Sequence, residues 1–147
     1  MIFMLSKEEF KKVSKKVPLI AVDGVLFKDG SVLMVKRVQE PYKGYWAVPG
    51  GFVEYKEKLE HAIVREVKEE SGLNVKTKGI VGIYADPNRD PRGHVISICF
   101  LLKLAGGKIK TSDETSDVKF FKKLPGKISL DYRKMIKNAK KMVKKIK

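Results

Sequence analysis

The 147-residue chain has one cysteine, no internal repeat and no apolar run long enough to span a bilayer. A lone cysteine excludes a disulfide scaffold. Cys99 lies in an apolar segment and reads as a small buried hydrophobe. The apolar opening Met1–Leu5 is too short for a secretory core and is followed by no small-residue cleavage site. These absences predict a cytoplasmic protein without a membrane anchor. No linker-like stretch divides the chain, so a single domain over residues 1–147 is expected. Acidic residues are the scarce charge, 17 against 32 lysines and arginines, for a formal net charge of +15. That excess favours anionic partners, nucleic acid or phosphorylated metabolites. No aromatic-interleaved basic motif is present, which argues against nucleic acid. The lysines are scattered at both ends, a pattern more common for solubility or a hot habitat than for binding.

What is present is a core-forming share of apolar residues, 43%, set in alternating strand-like and helix-like segments. Residues 1–16 read as a short amphipathic helix, an extra element ahead of the rest. Leu19 to Phe27 and Ser31 to Lys36 read as two strands joined by the turn Lys28-Asp29-Gly30. Gln39 to Gly44 is a polar loop and Trp46 to Val48 a short strand, with Pro49-Gly50-Gly51 as punctuation. A helix is expected over Lys58 to Ser71, ended by Gly72 as a C-cap. Val75 to Tyr84 is a strand, 86–93 a loop dense in charge and proline, and Val95 to Leu104 a strongly apolar, central strand. Gly106-Gly107 is a turn, 111–116 a loop and Val118 to Phe121 a short strand. A last helix from Asp131 to Ile146 carries Met135, Ile136, Ala139, Met142, Val143 and Ile146 on one stripe. Its lysines lie opposite, and it is expected to rest on a sheet rather than a membrane. Such a mixture argues α/β or α+β layers.

The segment Gly51–Leu73, GFVEYKEKLEHAIVREVKEESGL, breaks the ordinary pattern of a surface helix. At about 100° per residue, Glu66, Glu69 and Glu70 share a face and repel one another. One to two turns earlier that face carries Leu59, Ala62 and Ile63, so an inward stripe turns acidic. Charge runs are usually solvated, but carboxylates at a half-buried position are the hard oxygen donors that Mg²⁺ or Mn²⁺ needs.

The segment resembles the Nudix box, whose signature is G, five residues, E, seven residues, then R-E-hydrophobic-x-E-E-x-G-hydrophobic. Gly51, Glu57, Arg65, Glu66, Val67, Glu69, Glu70, Gly72 and Leu73 match every fixed position. The resemblance implies an α/β fold, an α/β/α sandwich with a mixed central sheet. It also implies metal-dependent cleavage of a phosphoanhydride in a nucleoside diphosphate derivative. Carried over residue by residue, Glu66, Glu69 and Glu70 become metal ligands with the backbone carbonyl of Gly50. Arg65 and Glu57 become a bracing ion pair. The general base is Glu66 or a late-loop carboxylate among Asp113, Glu114 and Asp117. Glu54, just outside the fixed positions, is assigned to metal or substrate.

The flanks Val35–Gly51 and Tyr84–Val95 look like the archaeal and bacterial ADP-ribose pyrophosphatase branch of that family. This implies ADP-ribose as substrate, AMP and ribose 5-phosphate as products, and possible homodimers with the N-terminal helix at the interface. Arg37, Arg89 and Arg92 are then sensible phosphate clamps, since a guanidinium matches two oxygens at once. Tyr84 or Phe27 is a candidate for stacking on adenine, although an aromatic on a strand more often belongs to the core; His94 is a candidate for touching substrate, with a structural hydrogen bond the commoner role. Other readings stay open: sanitation of an oxidised nucleoside triphosphate, an RNA-end pyrophosphohydrolase, or a regulator that binds ADP-ribose without cleaving it.

Overall fold

The structure, a computed structural model, describes residues 5–146. Met1–Met4 of the expected N-terminal helix lie outside the described residues. Helix α1 covers Lys7–Ser14 and is capped by the Ser6 side chain, which accepts from the Glu9 amide.

Strand β1 (Leu19–Lys28) is the spine of the sheet. It turns at Asp29-Gly30, both at positive φ, into β2 (Ser31–Arg37). The short strands β3 (Trp46–Ala47) and β4 (Gly50–Phe52) follow. Helix α2 (Leu59–Ser71) leads through Gly72 into β5 (Leu73–Tyr84), then β6 (Val95–Gly107), β7 (Thr115–Phe121) and α3 (Tyr132–Ile146). The sheet runs β3-β2-β1-β6-β5, with β4 added to β1 and β7 to β2. The β1–β6 pair is parallel and the other strand pairs are antiparallel, which makes the sheet mixed.

Side chains alternate across a strand, and β1 shows what this does. A Cβ on Gly24 would meet Ile63 of α2 at 3.0 Å. Its neighbour Asp23 points the other way and lines a cavity with Tyr132 of α3. The two long helices therefore cover opposite faces, the sandwich expected. Ile63, Val67 and Ala62 of α2 are fully buried, as are Met135, Ile136 and Ala139 of α3. Each larger apolar side chain so buried contributes about 1.5–3 kcal/mol. Strand β6, with Ile98 to Leu102 buried, lies between β1 and β5 as its apolar run predicts.

Several boundaries differ, among them β5, which begins at Leu73 rather than Val75. Gly50–Phe52, read as punctuation, is a strand, because Ala21, Val22 and Asp23 pair with Phe52, Gly51 and Gly50. Gly106 and Gly107 do not turn the chain but extend β6 opposite Asn74 and Leu73. Strand β7 starts three residues early, at Thr115, by pairing with Arg37. Helix α2 starts at Leu59 with Lys58 as an N-cap that makes no side-chain capping bond.

Candidate active site

The site is built where β4 runs into the loop before α2. Gly72, at φ +80°, ends α2, and its amide bonds to the Lys68 carbonyl. Arg65 faces back along the loop. Its Nε donates to Glu57 Oε2 at 2.7 Å and its Nη2 to Glu57 Oε1 at 2.9 Å, a two-pronged pair. Nη2 also reaches the Phe52 carbonyl at 3.2 Å, and Glu57 Oε1 accepts the Glu54 amide at 3.0 Å. The expected brace thus ties helix, loop and β4 together, and the hydrogen bonds from Arg65 hold the Glu57 carboxyl below its usual range.

From the same guanidinium, Nη1 donates to Glu66 Oε1 at 2.9 Å. Glu66 is 0% exposed, and its other oxygen, Oε2, is buried without a hydrogen-bond partner. Burial pushes its carboxyl up to about 7 against the pull of Arg65. Glu70 Oε1 accepts the Gly50 amide at 2.8 Å, and burial followed by the nearby Glu66 raises its carboxyl well above the usual value. Oxygens of Glu66, Glu70 and Glu114 all lie within 4.8 Å of one another. Glu114 arrives on the loop before β7, which is anchored by Thr115 Oγ1 donating to the Glu70 carbonyl at 2.8 Å. Only glycine fits opposite this cluster: a Cβ on Gly51 would sit 2.4 Å from Glu66 Cδ.

A buried carboxylate oxygen with no donor is costly, and three carboxylates packed this closely repel. A divalent cation resolves both problems, so the donor set fits a hard metal ion.

Glu70, Glu114 and Gly50 open onto a cavity of about 540 Å³, within the range of ligand pockets. Its walls also include Asp23, Arg37, Arg89, Asp90, Arg92 and Tyr132.

The expected site residues divide. Glu57, Arg65, Glu66, Glu70, Gly50 and Glu114 converge. Glu69 stands to one side, 3.3 Å from Arg65 Nη1, and is not in the close carboxylate trio. Of the late-loop acids only Glu114 joins: Asp113 is exposed, and Asp117 pairs with Lys119 and the Val118 amide. Glu54 is absent from the cavity wall, although its Oε1 is buried without a partner.

Arg89 and Arg92, expected as phosphate clamps, do reach the cavity, each with its guanidinium paired to a carboxylate. The Arg89 fork grips Asp131 at 2.8 and 3.0 Å with its side chain 4% exposed. The Arg92 fork grips Asp90 at 2.7 and 3.0 Å and lies over the Phe52 ring. Carboxylates two and 42 residues away in sequence already match their planar geometry. Of the two readings of Tyr84, the core one holds: it is buried, and its hydroxyl accepts from Asn138 of α3 at 2.8 Å. Phe27 likewise rests against the main core. Arg37 lines the cavity with its Nε held by the Pro41 carbonyl at 2.8 Å, and His94 makes the structural contact expected, Nε2 to the Ala85 carbonyl at 3.3 Å.

The residue missed is Asp23. It is 4% exposed, hydrogen-bonded by Ser97 Oγ and pushed up to about 6, chiefly by burial. Its signal was available: an acid in the middle of the apolar run LIAVDGVLF.

With this geometry in place, comparison with known proteins is decisive about the class. Residues 17–138 match the NUDIX domain, and the chain belongs to that family. The ADP-ribose pyrophosphatase of Methanocaldococcus jannaschii is 46% identical over 138 residues, covering 92% of this chain and 81% of that protein. Among solved structures, a bifunctional NMN adenylyltransferase/ADP ribose pyrophosphatase from Francisella tularensis, complexed with AMP and Mn, superposes with a TM-score of 0.79 at 26% identity. The match covers 92% of this chain but only 46% of that one. An ADP-ribose pyrophosphatase from Streptococcus suis gives a TM-score of 0.74 at 26% identity, covering 86% and 92% of the two chains.

Proposed function

We propose that this chain hydrolyses ADP-ribose to AMP and ribose 5-phosphate with the help of Mg²⁺ or Mn²⁺. The observation that carries the reading is the buried trio Glu66, Glu70 and Glu114, with one orphaned oxygen, at the edge of a nucleotide-sized cavity. The similarity to ADP-ribose pyrophosphatases over nearly the whole chain supports the substrate.

Glu66 and Glu70 would hold the metal, with the Gly50 carbonyl as a further donor and Glu69 nearby for a second ion. When bound, the metal neutralises diphosphate charge and acidifies a coordinated water. The remaining work falls to the chain. Arg65, held by Glu57, fixes one oxygen of Glu66 so that the other faces the site. Glu70 is oriented by the Gly50 amide. Glu114 lines the cavity while Glu66 does not, so Glu114 is the group placed to accept a proton from the attacking water. That water bonds to one phosphorus, the bridging P–O bond breaks, and the leaving phosphate departs with its electron pair.

The test is a panel of ADP-ribose, NADH, a dinucleoside polyphosphate, dGTP and 8-oxo-dGTP under one metal condition. ADP-ribose should give the highest kcat/KM. A triphosphate better by about tenfold, roughly 1.4 kcal/mol of transition-state preference, would replace the substrate assignment with sanitation chemistry.

A further inference from the structure

The domain match begins at residue 17, yet the cavity is not complete without what precedes it. Leu5, Ser6, Lys7, Phe10, Lys11 and Ser14 form one of its walls. Helix α1 buries no residue fully, so its position is not that of a core element. It rests on a small satellite cluster in which Phe10 meets the Phe52 ring edge-on at 5.4 Å, beside Ala21, Leu19 and Val95. Phe52 belongs to β4, the strand that carries Gly50 and Gly51 into the carboxylate site. The helix is therefore registered against the same strand that positions the metal ligands.

Its two cavity-facing cations are Lys7 and Lys11, one turn apart. Both are exposed, and neither forms an ion pair among the described residues. Two other cavity-lining cations are already paired, Arg89 with Asp131 and Arg92 with Asp90, while Arg37 gives its Nε to the Pro41 carbonyl and makes no ion pair among the described residues. The same cavity is also lined by the acids Asp23, Glu70 and Glu114. A diphosphate bound in this cavity would need cationic partners besides the ion that the carboxylates would hold. The cavity-lining cations without an ion pair among the described residues are Arg37 and, on α1, Lys7 and Lys11.

We infer that Lys7 and Lys11, on a helix outside the family domain, are substrate-binding residues that hold the diphosphate from the α1 wall of the cavity that Glu70 and Glu114 also line. This rests on the reading that the cavity takes a nucleoside diphosphate derivative. Flexible ammonium groups suit the task, because they follow charge without demanding one geometry. Their contribution is to ground state and transition state alike, so it appears in KM rather than in kcat.

The experiment compares two charge reversals of equal size in the full chain. Lys7→Glu with Lys11→Glu changes the cavity wall; Lys12→Glu with Lys15→Glu changes the same helix and its flank at exposed positions off the cavity. Steady-state kinetics use whichever diphosphate of the panel the unaltered protein cleaves best, at low and high salt. The expected result is a KM raised at least about tenfold by the first pair, with kcat within about twofold and the gap narrowing as salt screens it. The second pair should move KM less than about twofold, and Lys7→Arg with Lys11→Arg should restore it. Equal shifts from both reversals would mean that only the general field matters, and no shift from either would mean that α1 is a bystander; each overturns the inference. Failure of the ADP-ribose assignment shows separately, as a different best substrate for the unaltered protein, and leaves this ratio measurable.

Discussion

Glu66 shows how one residue gathers several constraints. It is fully buried, it gives one oxygen to Arg65, and its second oxygen has no protein donor. Glu66→Gln should cut kcat by at least about a hundredfold and weaken metal binding, without unfolding the protein, since an uncharged amide is cheaper to bury. Glu114→Gln should cut kcat comparably while metal affinity, read by calorimetric titration, changes little. A normal rate in Glu114→Gln would return the proton-accepting role to Glu66. Asp23 makes a prediction of opposite character. Its carboxyl is raised from 3.8 to about 6, with burial the leading cause. A raised carboxyl pKa means that the folded state binds the proton more tightly than the unfolded chain. Stability from this group is thus present below pH 3.8 and lost as pH rises through 6. Asp23→Asn should then stabilise the metal-free protein at pH 8 by on the order of 1–3 kcal/mol, with the advantage shrinking towards pH 4. A wild type more stable than Asp23→Asn at pH 8 in thermal melts would refute that sign.

At the scale of elements, α2 and its approach were legible because local chemistry dictates them. Helical spacing of Leu59, Ala62, Ile63 and Val67, the C-cap Gly72 and the fixed positions of the box all point to one geometry, and the Glu57–Arg65 pair is where that geometry puts it. What the sequence hid depends on distant partners. Strand β4 exists through its pairing with β1, and the Arg89 and Arg92 forks are filled by carboxylates that local pattern does not locate. Asp117 and Glu114, three residues apart, were equivalent as letters and separate only once β7 pairs with β2 and sets which one faces the site. Two glycines separate site from scaffold. Gly51→Ala drives a methyl group into the Glu66 carboxylate, and β4 is pinned to β1, so activity should fall at least about tenfold through loss of metal binding. Gly24→Ala meets Leu102 Cδ1 at 2.4 Å and Ile63 Cδ1 at 3.0 Å instead. It should cost about 1–3 kcal/mol of stability while metal affinity measured below the melting range stays near that of the wild type.

For the whole molecule, the sandwich serves to hold like charges together. The sheet brings β1, β4 and the β7 loop to one edge of α2, and the carboxylates meet there at a cost that a divalent cation would relieve. Metal binding must therefore stabilise the fold, by about 2.7 kcal/mol at a hundredfold excess over Kd. Burial pushes Glu66 up to about 7 and raises Glu70 well above its usual value, so protons would compete with a bound ion as pH falls. The melting shift on adding Mg²⁺ should be larger at pH 8 than at pH 6, and a shift independent of pH would place the ion elsewhere. No described helix is long and apolar enough to cross a membrane. The most direct test is product analysis: ADP-ribose incubated with the protein and Mg²⁺, resolved by chromatography, with parallel samples containing chelator and the Glu70→Gln variant. The expected result is AMP and ribose 5-phosphate in equal amounts, abolished in both parallel samples. ADP-ribose that binds but stays intact with Mg²⁺ and with Mn²⁺, or cleavage that survives the chelator, would contradict a metal-dependent hydrolase centred on Glu66, Glu70 and Glu114.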